Sequence, residues 1–367
     1  MKIDQLRIRD FRNLKKIDYE PYPGLNIFMG DNAQGKTSLL EAIFVLATGS
    51  SFRSASDANL VKQGSQGYMV QGEYTTGERK IESQIQYQLN DSKSFYINKK
   101  KCSHNHGDRL KVVLFTPDDL FLVKGAPGKR RAFLDFILKQ LSAEYFYNLE
   151  NYQEILKKRN TFLKKETLTG NTACIINDIF VEQAIRLILQ RINFVNLIDD
   201  LCGPIYKLIN GGQNLFKARY ALSFAIESDR INTEVLRDAM KNHLKEHGSE
   251  EIKRRKTMVG PHLEDINFYQ DGNLARIYAS QGQQRNMAIS LKLTEIYAYA
   301  RIKEDYPVFL LDEVLAELDE GKRRMLLTYL QDAEFQSFLT AVKMDEMDLK
   351  LNPIWHMQGG SLARKEK

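Results

Sequence analysis

Residues 30–37 constrain this chain more than any other stretch: they read Gly-Asp-Asn-Ala-Gln-Gly-Lys-Thr. Gly30 and Gly35 allow a tight turn whose backbone N–H groups point at phosphate oxygens. Lys36 reaches the β- and γ-phosphates, and the Thr37 hydroxyl ligates Mg²⁺. The setting agrees with this reading. Leu25 to Met29 reads as a short strand, and beyond Thr37 the residues Leu39, Leu40, Ile43 and Leu46 fall on one helical face. The N-terminus of that helix adds partial positive charge at the phosphates. A glycine-rich loop without such a strand and helix is an ordinary turn. With them, Gly30, Asp31, Asn32, Ala33, Gln34, Gly35, Lys36 and Thr37 are expected to hold a nucleoside triphosphate.

A chain of 367 residues, 43% of them hydrophobic, is long enough for two domains with ample core. No apolar run approaches the roughly 20 residues needed to span a bilayer. The first ten residues mix charged and apolar positions and lack a signal-peptide core, so a cytoplasmic protein with no membrane partner is expected. Cys102, Cys174 and Cys202 are scattered and odd in number, which suits a reducing compartment. Cys102, His104 and His106 have metal-like spacing, but no second ligand cluster accompanies them. An exposed loop is the favoured reading there over a zinc site. The net charge of +6 permits a polyanion as partner without demanding one. Basic runs at Lys99–Lys101, Lys129–Arg131, Lys157–Arg159 and Lys253–Lys256 leave two readings open, solvated surface or contact with a polyanion.

Residues 1–115 alternate strand-like runs, at 3–8, 25–29, 68–74, 81–89 and 112–115, with the single strong helix after the phosphate loop. Turns are expected near Glu78 and at Asn90-Asp91-Ser92. The character changes after Thr116-Pro117-Asp118-Asp119, and from about 129 to 200 the apolar residues recur at helical spacing without sustained heptads. Thr167 to Gly170 is expected to break one helix from the next. Strand-like segments return at 217–224, 266–269 and 275–279, a helix follows over about 284–303, and residues 359–367 read as frayed.

Val308-Phe309-Leu310-Leu311-Asp312-Glu313 reads as a buried strand ending in two carboxylates, far downstream of Lys36. Asp312 there can hold a water on Mg²⁺. Glu313 can orient or deprotonate the attacking water of an in-line phosphoryl transfer, which makes Glu313, Lys36 and Asp312 the candidate catalytic residues and Thr37 and Asp312 the metal-site residues. The long separation implies an insertion between the two halves. Ser280-Gln281-Gly282-Gln283 begins a helix just upstream, an anion site by the logic of the phosphate loop though weak alone. In this position it resembles the signature motif of ABC-type ATPases, and Ala316-Glu317-Leu318-Asp319 matches their D-loop spacing. The resemblance implies an ATP-dependent homodimer in which Ser280, Gly282 and Gln283 complete the site of a second copy.

Several motifs in order carry a closer resemblance: Leu6 to Leu14, Gly30 to Thr37, Ser51-Phe52-Arg53, Phe115 to Val123 and Arg130 to Asp135. They continue with Tyr152-x-x-x-Leu156-Lys157-x-Arg159-Asn160, Gly260-Pro261-His262-x-x-Asp265 and Ser280 to Arg285. Together they resemble the RecF family of bacterial recombination-repair proteins over essentially the whole chain. The resemblance implies an α/β fold: an ABC-type ATPase head, SMC-like but without a long coiled coil, formed by residues 1–117 plus 205–367. A mainly helical inserted domain is expected over 118–204. It implies a slow ATPase that uses ATP and Mg²⁺ as a switch and binds single-stranded, double-stranded and gapped DNA. It further implies action with RecO and RecR to load RecA at gaps, in repair and the SOS response. Arg12 and Asn13 are expected near the nucleotide, and basic residues of the insert and of 253–256 near DNA phosphates. The alternatives are a transporter ATPase subunit and a non-hydrolysing ATP-binding scaffold. Some positions depart from the wider ABC pattern. Ala279 and Gln281 stand in the signature, Phe338-Leu339-Thr340-Ala341 carries no switch histidine, and no glutamine is assigned to the Q-loop beyond the candidates Gln63 and Gln71. His262 is expected to be structural.

Overall fold

A computed structural model describes residues 1–54, 56–103, 106–165, 170–212, 214–227, 230–342 and 354–364. The chain forms two compact units, one of Met1–Leu120 with Glu295–Lys367 and one of Phe121–Thr294.

The first unit opens with β1 (Lys2–Phe11), β2 (Leu14–Tyr19), β3 (Leu25–Met29), α1 (Lys36–Thr48), β4 (Gly67–Thr76), β5 (Arg79–Gln88), β6 (Ser94–Ile97), β7 (Lys100–Cys102) and β8 (Val112–Phe115). Six of these strands form an antiparallel sheet in the order β2-β1-β4-β5-β6-β7. Its register follows the period-two pattern of each strand. In β4, Tyr68, Val70 and Tyr74 are buried while Met69, Gln71 and Glu73 are not. The expected turns fall between β4 and β5 and between β5 and β6. The strands β2, β6 and β7, too short or too charged to announce themselves, come in addition.

The second unit contains α2 (Pro127–Leu141), α3 (Ala143–Lys164), α4 (Gly170–Asn210), β9 (Phe216–Ala221), α5 (Thr233–Arg254), β10 (Asp265–Gln270), β11 (Asn273–Leu274), the single turn α6 (Ala275–Tyr278) and the beginning of α7 (Gln281–Lys303). Pro127 opens α2, where a missing N–H costs nothing. Ser142 ends α2 and caps α3 by accepting from Tyr145 N at 3.1 Å. Of the expected helix break at 167–170, residues 167–169 lie outside the described residues and Gly170 opens α4.

This division is wider than the expected insert of 118–204. α4 runs through Pro204 to Asn210 and packs on β9, and β9 pairs with β10, so residues up to 294 cluster with the helices. The expected strand at 275–279 is also replaced, by the helical turn α6. Its alternating Ala275, Ile277 and Ala279 imitate a strand, but Ile277 and Tyr278 lie in solvent and Ala279 N closes the turn on Ala275 O at 3.1 Å. Helix α5 had no sequence expectation, being polar nearly all round.

The first unit is completed by β12 (Val308–Asp312), α8 (Glu320–Gln331), β13 (Ser337–Ala341), β14 (Ile354–Gln358) and β15 (Ser361–Arg364). A second six-stranded sheet runs β15-β14-β3-β13-β12-β8, with β14, β3, β13, β12 and β8 parallel. Its central strands are buried on both faces, as Val308 to Leu311 and Phe338 to Leu339 require. Helix α1 packs on β4 and β5 and also on β12 and β13, so it is buried nearly all round rather than along one face.

Candidate nucleotide site

Strand β13 assembles the site. It pairs with β3 on one side and β12 on the other, so the carboxyl end of β3, which leads into the phosphate loop, lies one strand away from the end of β12. Ligand sites of such sheets lie beyond the carboxyl ends of the strands. Here the Thr37 hydroxyl donates to Asp312 Oδ1 at 2.9 Å across 275 residues of sequence.

The loop itself has the expected backbone. Gly30, Ala33 and Gly35 all have positive φ, at 151°, 65° and 111°. A Cβ on Gly30 would meet Met357 O at 2.4 Å, so only glycine fits there. Lys36, 3% exposed, donates to the carbonyls of Gly30 at 2.8 Å and Asp31 at 2.9 Å, and its ammonium lies 3.5 Å from Glu313 Oε1. Gln34 is clasped by the β14–β15 hairpin, its side-chain oxygen taking Gly359 N at 2.6 Å and its carbonyl taking Gly360 N at 3.0 Å.

Asp312 is buried, and burial raises its pKa above the usual carboxylate value. The hydroxyls of Thr340 and Thr37 oppose that rise and the neighbouring Glu313 adds to it. Glu313 follows with φ 53°, a left-handed conformation costly for a residue with a side chain. Its N–H is held by Thr340 Oγ1 at 2.9 Å.

A cavity of ≈ 650 Å³ opens in front of the loop, lined by Asn32, Ala33, Gly35, Lys36, Thr37 and Glu313 and also by Arg12, Asn13, Arg53, Lys62 and Gln63. The structure therefore gathers Arg12 and Asn13 with the loop. Asn13 donates to Ala33 O at 3.1 Å, and Arg12 makes two bonds to Glu41, at 2.9 and 2.7 Å. Of the two glutamine candidates, Gln63 lines this cavity, whereas Gln71 sits within β4 opposite Gln84.

Three contributors escaped the sequence reading. Thr340 occupies the segment noted only for lacking a histidine, yet it touches both carboxylate residues. Glu41, fully buried in α1, takes Arg12 and Ser51 and lies 3.7 Å from Arg53. Its signal was a lone carboxylate within an apolar helical run. The hairpin at 354–364 stands where residues from 359 on were expected to fray, because its role is backbone contact, which residue types do not show.

Ser280, Gly282 and Gln283 belong to the second unit, at the start of α7. Gln283 Oε1 accepts from Ser280 N at 2.8 Å, and Gln283 N donates to Ser280 Oγ at 3.3 Å, a reciprocal capping box. His262 is hydrogen-bonded to Tyr152 Oη at 2.5 Å, and burial lowers its pKa to about 4, so the ring is neutral. Cys102 lies on β7, while His104 lies outside the described residues. Among those residues no group of three or more His, Cys, Asp or Glu side chains could hold a metal ion. Nor is any helix among them long and apolar enough to cross a membrane.

Known proteins resemble this chain along essentially its whole length. Residues 2–355 match the model of the RecF/RecN/SMC N terminal domain. The chain is 35% identical to the DNA replication and repair protein RecF of Lactobacillus acidophilus, over all of both chains. It superposes with a TM-score of 0.89 on the recombination mediator protein RecF–ATPrS of the RecFOR pathway, at 30% identity over 99% of this chain and 98% of that one. A likeness to an Smc head bound to the C-terminal winged-helix domain of ScpA, with a TM-score of 0.56 at 16% identity, concerns the fold alone.

Proposed function

This chain belongs to the RecF family, and on that premise we propose that it is an ATP-switched DNA-binding protein of replication and repair. The observation that carries the switch is the meeting of Thr37 and Asp312, with Glu313 beside Lys36. The residues fit a nucleoside triphosphate with a divalent cation. Loop N–H groups and Lys36 face the phosphates, and Thr37 and Asp312 offer oxygen donors suited to Mg²⁺. The cation, when bound, supplies charge neutralisation on the phosphates. Glu313 orients the attacking water and takes its proton, Lys36 stabilises charge at the transferring phosphoryl group, and Arg12 and Asn13 border the nucleotide.

Ser280, Gly282 and Gln283 would meet the γ-phosphate held by a second copy. ATP then favours the closed homodimer because those contacts exist only there, and hydrolysis, slow in this reading, releases it. Bound to gapped, duplex or single-stranded DNA in the cytoplasm, the closed form acts with RecR and RecO to promote RecA loading and the SOS response. The resemblance to the RecF–ATPrS structure and to curated RecF proteins supports this reading.

Light scattering with ATP and Mg²⁺ tests it. Lys36→Ala should stay monomeric, and Glu313→Gln should accumulate as a long-lived dimer. A Glu313→Gln protein that remains monomeric at saturating ATP defeats the closed homodimer.

A further inference from the structure

Four basic runs stood out in the sequence, and the structure sorts them. In Lys129–Arg131, Arg130 is buried, 1% exposed, with two bonds to Asp265 at 2.7 and 2.8 Å, and Arg131 donates to Glu264 O at 2.8 Å. Two of that run's three cations are thus structural. Lys99–Lys101 lies in the first unit, with Lys100 and Lys101 on β7, the strand paired with β6.

The remaining two runs, nearly a hundred residues apart, are joined. Arg159 on α3 is 2% exposed and reaches Glu251 on α5 with Nη2 at 2.5 Å and Thr257 Oγ1 with Nη1 at 2.8 Å. Asn160 Oδ1 receives Thr257 N and its hydroxyl, both at 2.8 Å. The lysine before Arg159 and the lysine before Thr257 are therefore one residue each from a direct hydrogen bond between the two segments. Lys157, Lys158, Lys253, Arg254, Arg255 and Lys256 are all exposed around it. Lys158 and Arg254 make only exposed i,i+4 pairs, with Glu154 and Glu250, and Lys157, Lys253 and Lys256 make no ion pair among the described residues.

We propose that these two runs form one phosphodiester-binding surface of the second unit, held together by the buried Arg159–Glu251 pair. This deepens the DNA-binding reading above and rests on it. Lys157, Lys253 and Lys256, without an ion pair among the described residues, and Lys158 and Arg254, in weak exposed pairs that phosphate can displace, favour a dense polyanion over a protein partner. A nucleic acid backbone presents charge at that density. Among the described residues no base-reading element stands beside the patch, so the contact is independent of sequence.

The test uses the full chain with ATP, measuring fluorescence anisotropy on gapped and duplex DNA across a salt series. Lys157→Ala with Lys158→Ala, and separately Lys253→Ala with Lys256→Ala, should each weaken binding about tenfold. Each should also flatten the plot of log affinity against log salt by roughly one for every phosphate no longer neutralised. ATP affinity and circular dichroism should stay as in the parent protein. The triple change at Lys99, Lys100 and Lys101 should do far less. Parent-like binding and slope in both pairs overturns the surface, as does an equal loss in the Lys99–Lys101 control. Pairs that keep DNA binding but lose an acidic protein partner overturn it too and reassign the patch. If the unsubstituted protein ignores DNA at low salt, the DNA-binding function itself has failed.

Discussion

Thr340 and Thr37 donate to the same oxygen of Asp312, each at 2.9 Å, the one from β13 and the other from the first turn of α1. Thr340 also accepts the N–H of Glu313, so one hydroxyl fixes both acidic residues of the site. Thr340→Val keeps the shape and removes that hydroxyl. It should lower unfolding stability by about 1–2 kcal/mol in denaturant titrations. Since the lost bond favoured the ionised form of Asp312, the acid limb of the ATPase pH profile should move to higher pH. An unchanged profile would mean Asp312 is not the titrating group.

Glu41 is the buried hub behind the cavity wall. Glu41→Ala strands the Arg12 guanidinium and should cost roughly 3 kcal/mol. Glu41→Gln should cost less yet still weaken ATP binding, measured by calorimetry, because Arg12 and Arg53 lose the charge that positions them. Parent-like ATP affinity in a folded Glu41→Gln protein would separate those arginines from the nucleotide.

Gly360 lies outside the cavity lining, yet a Cβ there would stand 2.3 Å from Asn13 O, and its φ is 76°. Gly360→Ala should lose more than about 1 kcal/mol of stability. It should also weaken ATP binding, because Gly360 N holds Gln34 O in the phosphate loop. Differential scanning with and without ATP measures both effects in one experiment.

Glu264 is 1% exposed, and burial raises its pKa from 4.5 to about 7. The folded state therefore keeps a proton that the unfolded chain releases near 4.5. The resulting stabilisation is complete below pH 4.5 and disappears as pH rises through about 7. Glu264→Gln stays neutral and can still accept from Tyr220. Relative to the parent it should gain of order 1–3 kcal/mol on going from pH 5 to pH 8, read from paired urea titrations. No change in that difference with pH would place the charge on Glu264 throughout.

The site was legible where its chemistry is contiguous. The candidate residues Gly30 to Thr37 and Asp312-Glu313 are contiguous in sequence, and the order strand, loop, helix placed them. Thr340 was not legible, since a threonine at a strand end acquires meaning only from the two strands beside it. Gly359 and Gly360 act through backbone N–H groups, which no residue type advertises. The fold was read least well where local pattern and tertiary pairing compete. Residues 275–279 alternate like a strand but turn as a helix, and α4 carries Pro204 inside an uninterrupted run to Asn210. That continuity draws the following strands into the second unit.

Glu313 holds its carboxylate on a backbone that suits glycine or asparagine better. A library selected only for thermal resistance should therefore drift away from glutamate at 313, while one selected for survival of DNA damage should keep it. Comparing the two outcomes at this single codon would measure how much stability the protein forgoes for turnover.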